Sequence, residues 1–154
     1  MKKMIQPAYI QLQATATSQQ GVFQTIADIA VANGIASSQE AIVEGLKARE
    51  KESTTGFQEG FAIPHTQAEE VSQPAIIIVR TETGVDWESF DGKPTFFFLS
   101  LLIPKSEAGT THLQALSALS RALINEDIRQ AMLRATTSTE LATIISQAIS
   151  GEDD

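Results

Sequence analysis

Two stretches of this chain are apolar without alternation. One is Pro74-Ala75-Ile76-Ile77-Ile78-Val79; the other runs from Phe96 to Ile103, where only Ser100 interrupts and Pro104 closes it. A strand with one wet face alternates apolar and polar residues, whereas an unbroken run suits a strand covered on both faces. Something apolar must therefore lie above and below these two segments. The flanking sequence supplies it. Thr17-Ser18-Gln19-Gln20 fits a capping box ahead of a helix carrying Val22, Ile26 and Ile29, which Gly34 stops. Ser37-Ser38-Gln39-Glu40 opens a second helix, with Ile42 and Leu46 on one face, that runs to about Glu52. The last third is helical: Leu116, Leu119 and Leu123 form one stripe, Asn125-Glu126-Asp127 caps a short helix, and Thr137-Ser138-Thr139-Glu140 opens a final one. Helices before and after buried central strands predict a layered α/β or α+β domain.

The expected organisation is one domain over residues 1–150 and a frayed acidic tail over 151–154. A half-buried strand at Tyr9-Ile10-Gln11-Leu12-Gln13 follows the N-terminus, where Gln6-Pro7 breaks any leader-like apolar segment. No apolar run reaches the roughly 20 residues of a membrane span, so a cytoplasmic location without membrane insertion is expected. With 11 basic and 19 acidic residues, a net charge of −8, the chain has no excess cation to neutralise nucleic-acid phosphates.

The chain has no cysteine and two histidines. Disulfides, thiolate nucleophiles and cysteine-type zinc sites are thereby excluded. No HExxH pair, GxSxG elbow or GxxxxGK[ST] loop occurs, which argues against a metal site, a serine hydrolase and a nucleotide-derived donor; no cofactor is expected. What remains is an imidazole that accepts a group and passes it on. His65 follows Pro64, which restricts the backbone before the ring, and a hydrophobic approach of Phe57, Phe61 and Ile63. It can be a loop histidine bonded to backbone or that nucleophile. His112 lies at a helix start behind Thr110 and Thr111 as caps, on the inward stripe of Leu116, Leu119 and Leu123. The helix dipole there disfavours an imidazolium, and free N–H groups favour a phosphoryl group; the alternative is a satisfied core histidine. Arg49 extends the apolar stripe of Ile42 and Leu46 at a helix C-terminus, either snorkelling or holding an anion, while Glu50, Lys51 and Glu52 read as the solvated end. Phosphoryl transfer suits this set: one imidazole attacks in line, and Arg49 with a His112 N–H shares the equatorial oxygens.

Arg49-Glu50-Lys51-Glu52-Ser53-Thr54-Thr55-Gly56 leading to Gly60-Phe61-Ala62-Ile63-Pro64-His65 resembles the signature of enzyme IIA of the bacterial phosphotransferase system, fructose/mannitol type. Asp91-Gly92-Lys93-Pro94 and His112-Leu113-Gln114-Ala115-Leu116-Ser117-Ala118-Leu119-Ser120-Arg121 are similar to the same family. The resemblance implies an α/β fold with a mixed, mainly five-stranded sheet flanked by helices. It implies a phosphotransferase working through a phosphohistidine: His65 takes phosphate from the phosphocarrier HPr and passes it to a cysteine of a separate enzyme IIB, with a membrane enzyme IIC beyond. His112 matches the second active-site histidine and Arg49 the arginine. Thr54 and Thr66 are expected to help stabilise the phosphoryl group. The chain departs from the family at Gln58 and Thr66, where small residues are usual, and at Phe61. Sugar specificity and partner choice are the properties those changes touch. Family relatives that act as regulators supply the alternative: a module whose His65 phosphorylation state controls binding to a target. An apolar rim of Phe57, Phe61 and Ile63 and the −8 charge suggest a transient, electrostatically steered dock.

Overall fold

The computed structural model describes residues 4–150; the tail expected at 151–154 lies outside the described residues. In chain order the elements are β1 (Ile10–Ala14), α1 (Gln19–Ala32), α2 (Gln39–Glu52), β2 (Phe61–Ala62), β3 (His65–Ala68), β4 (Ala75–Val85), β5 (Thr95–Pro104), α3 (Thr110–Ile124), α4 (Glu126–Arg134) and α5 (Ser138–Ser150). The predicted starts of α1, α2, α4 and α5 are capped, although at α1 and α2 the cap is the second residue of the predicted capping box and not the first. Ser18, Ser38 and Asn125 accept from the N–H groups of Gly21, Ala41 and Ile128. At α5, Thr137 Oγ1 accepts from Glu140 N, and the Glu140 carboxylate reaches back to Thr136 N.

The two apolar runs are the central antiparallel pair, β4 beside β5, with Ile77 opposite Ser100. β1 adds in parallel to β4; β2 and β3 add in parallel to β5, making a five-stranded mixed sheet. Each face of this pair is covered. Ile77, Val79, Phe98 and Leu102 pack with Phe23, Ile26, Ile42 and Leu46 of α1 and α2. Ile76, Ile78, Phe97, Leu99 and Leu101 pack with Leu119, Leu123, Met132, Leu141 and Ile145 of α3, α4 and α5. Burying each such side chain contributes about 1.5–3 kcal/mol, which is why both parities of the strands are apolar. Ser100, which interrupts the second run, is buried with it. β4 continues past Val79 to Val85, beyond the apolar run, because Arg80 ties it laterally: Nε donates to the Leu12 carbonyl at 3.3 Å and an NH1 proton goes to the Ala135 carbonyl at 3.1 Å.

β2 and β3 occupy one sheet edge. Phe61 pairs Phe97 and His65 pairs Leu101 with the same offset along β5, so the two are a single edge strand interrupted at Ile63-Pro64. Pro64 has no N–H to give, which confines it to an edge; its carbonyl still accepts from Leu101 N at 2.9 Å. Among the described residues, no helix is long and apolar enough to cross a membrane.

Candidate functional site

The interrupted edge is where the helical layers of the two faces come within reach of each other. α2 covers one face and α3 the other, and β3 is the strand between them. His65 is therefore the first residue of a strand rather than a loop histidine. Thr66, next along, is buried against α2, where Gly45 leaves room: a Cβ on Gly45 would stand 2.5 Å from Thr66 Oγ1. Arg49 follows one turn later on α2. His112 lies in the first turn of α3, its ring 5.4 Å from that of His65, centroid to centroid, at 48°. Together Arg49, His65, Thr66 and His112 line a cavity of about 410 Å³, with Gly45 and Glu52. Four of the five residues singled out from the sequence thus converge.

His65 is buried, and its Nδ1 is 2.8 Å from the Ile63 carbonyl oxygen. A carbonyl can only accept, so Nδ1 carries the proton and Nε2 keeps its lone pair. Burial holds the His65 pKa below the usual imidazole value; the Ile63 hydrogen bond and the Glu50 carboxylate oppose this, and Arg49 and His112 reinforce it. His112 is lowered too, first by burial and then by Arg49. The neutral ring expected at His112 follows from these two causes more directly than from the helix dipole. Gly109, not Thr110, is the α3 cap residue, and it offers no side-chain cap; the side chain of Thr111 lies outside the described residues. His112 Nδ1 is buried without a hydrogen-bond partner among the described residues. One N–H of Arg49 donates to the Ser53 carbonyl at 2.9 Å, closing its own helix end. The guanidinium fork has further donors to offer an anion. Two neutral imidazoles beside one permanent cation suit an anionic electrophile attacked by Nε2.

Thr54 is not brought to the cavity. Its hydroxyl lies 2.6 Å from the Glu88 carbonyl and 3.0 Å from Glu50 Oε2, and it accepts from Gly56 N at 2.9 Å. The apolar rim also differs from expectation. Phe61, in β2, and Ile63, in the gap after it, are both buried in the core shared with α3. The ring on the surface there is Phe90, 70% exposed, which lies 5.5 Å between centroids from the half-buried Phe57.

Two site-supporting residues escaped the sequence reading. Glu50, read as part of a solvated helix end, is half-buried and accepts from Thr54, Thr55 and Trp87. Asp91 accepts from Glu59 N at 2.9 Å and from Lys93 N at 3.1 Å, which holds its carboxyl below the ordinary carboxylate value. It thereby fixes Glu59 at φ 57° ahead of Gly60 at φ 88°. A Cβ at Gly60 would run into the Phe96 ring, so the turn that delivers β2 requires glycine twice over. The sequence marks Asp91 only through the Asp91-Gly92-Lys93-Pro94 resemblance; its partner Glu59 lies 32 residues away.

Known proteins resemble this chain over nearly its whole length. The family model "Phosphoenolpyruvate-dependent sugar phosphotransferase system, EIIA 2" matches residues 3–148. The chain is 33% identical over 140 residues to a PTS system fructose-specific EIIA component of Haloferax volcanii, covering 91% of this chain and 90% of that one. It is 27% identical to a nitrogen regulatory protein of Pseudomonas aeruginosa, over 99% of this chain and 98% of the other. Its fold matches the crystal structure of the nitrogen regulatory protein IIA-Ntr from Neisseria meningitidis with a TM-score of 0.83 at 28% identity, covering 91% and 94% of the two chains.

Proposed function

We propose, for a chain that belongs to the EIIA 2 family of the phosphoenolpyruvate-dependent sugar phosphotransferase system, that it is a phosphocarrier whose His65 Nε2 takes the phosphoryl group. The observation that carries this reading is the 2.8 Å contact from His65 Nδ1 to the Ile63 carbonyl, which leaves Nε2 as the nucleophile in a neutral ring. The donor is phospho-HPr: its N–P bond breaks as the bond from phosphorus to Nε2 forms. Arg49 and His112 carry the charge that spreads over the equatorial oxygens, and Thr66 adds a hydroxyl at the cavity wall. The neutrality of His65 matters because an imidazolium has no lone pair to attack with. In the second step the bond to Nε2 breaks and a bond to a cysteine sulfur of a separate enzyme IIB forms. None of the 154 residues is cysteine, so that thiol belongs to another polypeptide or domain. A membrane enzyme IIC would receive the phosphate on its sugar.

Incubation with phospho-HPr should give one acid-labile, base-stable phosphate per chain, absent from H65A. Label that persists in H65A would overturn the assignment. The nitrogen regulatory relatives favour a second reading, in which the same phosphohistidine sets affinity for a regulatory target instead of feeding a sugar. Pull-down with H65A and H65D separates the two: a target retained by one and lost by the other supports regulation, and phosphate passing to an enzyme IIB supports transport.

A further inference from the structure

The densest polar cluster outside the cavity surrounds Glu50. Its Oε2 accepts from Thr55 N at 2.8 Å, Thr54 Oγ1 at 3.0 Å and Trp87 Nε1 at 3.1 Å; its Oε1 accepts from Thr55 Oγ1 at 2.6 Å. A carboxylate that takes this many donors is held by charge-assisted bonds and holds them in turn. Glu50 does not line the cavity. It reaches the cavity through the backbone. The Thr55 carbonyl accepts from Ile63 N at 3.0 Å, and the Ile63 carbonyl is the one bonded to His65 Nδ1. Ile63 sits in the gap between β2 and β3, so the Thr55 contact steadies its peptide where the ladder to β5 is interrupted. The other end of the chain of contacts is anchored in the core. Trp87 is buried edge-on to Phe23 at 5.5 Å and against Phe98 at 4.8 Å between centroids.

We propose that Glu50 is a positioning residue: acting through Thr55 and Ile63, it fixes the His65 ring in the Nδ1–H form with its Nε2 lone pair ready for the phosphoryl group. This rests on the reading of His65 as the phosphoacceptor. The Glu50 carboxylate also acts on the ring through space, opposing the lowering of its pKa; two conservative variants separate reach from charge. In E50Q the amide oxygen takes the place of Oε2 for Thr55 N and Trp87 Nε1, and the amide N–H faces Thr55 Oγ1, whose hydroxyl can turn to accept. In E50D the charge stays and the carboxylate retreats by one methylene.

The test uses the whole chain labelled with ¹⁵N in its two histidines, with H65A assigning the His65 signals. Ring ¹⁵N shifts report the tautomer, the emission of Trp87 reports the anchor, and quenched-flow uptake from phospho-HPr reports transfer. E50Q is expected to keep the Nδ1–H form of His65 and transfer within about twofold of the parent. E50D is expected to show mixed tautomers, an altered Trp87 emission and a roughly tenfold lower kcat with little change in KM for HPr. T55V, which removes only the bond to Oε1, is expected to move the tautomer the same way by less, and stands in for E50D if that variant fails to fold. E50D indistinguishable from the parent overturns the proposal, as does E50Q impaired while E50D is intact. If the parent takes no phosphate, the phosphocarrier reading falls, and the tautomer shifts alone decide the role of Glu50.

Discussion

Behind the cavity, at the end of α2 and in the loop after it, stands a backing wall whose polar groups are paired with protein: Glu50 with Thr54, Thr55 and Trp87, Thr54 with Glu88, Glu59 with Asp91. Where α3 walls it, they are left open: Gly109 provides no side-chain cap and His112 Nδ1 has no partner among the described residues. A group whose hydrogen bonds are satisfied cannot turn toward a ligand, but it can hold another group still. An unsatisfied buried group costs stability until something supplies its bond. One wall is therefore suited to hold the His65 ring still, and the other, with the spare donors of Arg49, is suited to meet the charge. The phosphotransfer proposed here needs both, because an anionic, loose transition state gains from positioning and from donors aimed at its oxygens.

The comparison is open to attack at four points. The largest effect is expected at the nucleophile. H65A should lower phosphate uptake from HPr by more than about a thousandfold, followed by acid-labile label, because no other residue can replace Nε2. Next comes the paired wall. G60A should destabilise the fold by about 2–3 kcal/mol in chemical denaturation, since the residue sits at φ 88° and its Cβ would meet the Phe96 ring. If G60A melts like the parent, this wall is more compliant than its hydrogen bonds indicate. The spare donors of Arg49, which face the open α3 wall across the cavity, should respond the other way round. R49K should slow transfer roughly tenfold while changing stability by less than about 0.5 kcal/mol, because the fork is lost and the charge is kept. A collapse of stability in R49K would mean that the bond to the Ser53 carbonyl is its main role.

The smallest effect is on pH dependence. Burial lowers both imidazole pKa values from 6.5, so below that pH the unfolded chain binds more protons than the folded one. The stability that neutral His65 and His112 allow is complete above about pH 6.5 and is lost as pH falls toward the folded values. Melting curves across this window should show that decline, and H112Q should make it shallower. Both ring C–H resonances should titrate below 6.5; a His112 signal that is fully charged at pH 7 would contradict the description of the α3 wall.

Local features in the sequence were legible because their causes are local. Ser38, Asn125 and the Thr137–Glu140 pair announce helix starts through bonds spanning three or four residues. The run Ile76 to Val79 declares two-sided burial by having no polar parity. Arg49 and His112 stood out because each continues an apolar stripe where a polar residue is out of place. Thr54 looked equally suited to a phosphoryl group, yet its hydroxyl is taken by Glu50 and the Glu88 carbonyl, the latter 34 residues on. Phe61 and Ile63 looked like a rim because their distance from the sheet edge is not a property of spacing.

By itself, the sequence determined the helices, the buried pair of strands, and a shortlist of one arginine and two histidines for an anion. Only the tertiary structure decided that His65 begins an edge strand, that its ring is held on the Ile63 carbonyl, and that Glu50 and Asp91 close hydrogen bonds across the segments beside the site. The physical reason is range. Periodicity and capping are set by neighbours within a turn, while the orientation of a nucleophile depends on hydrogen bonds closed between segments that meet only when the core has formed.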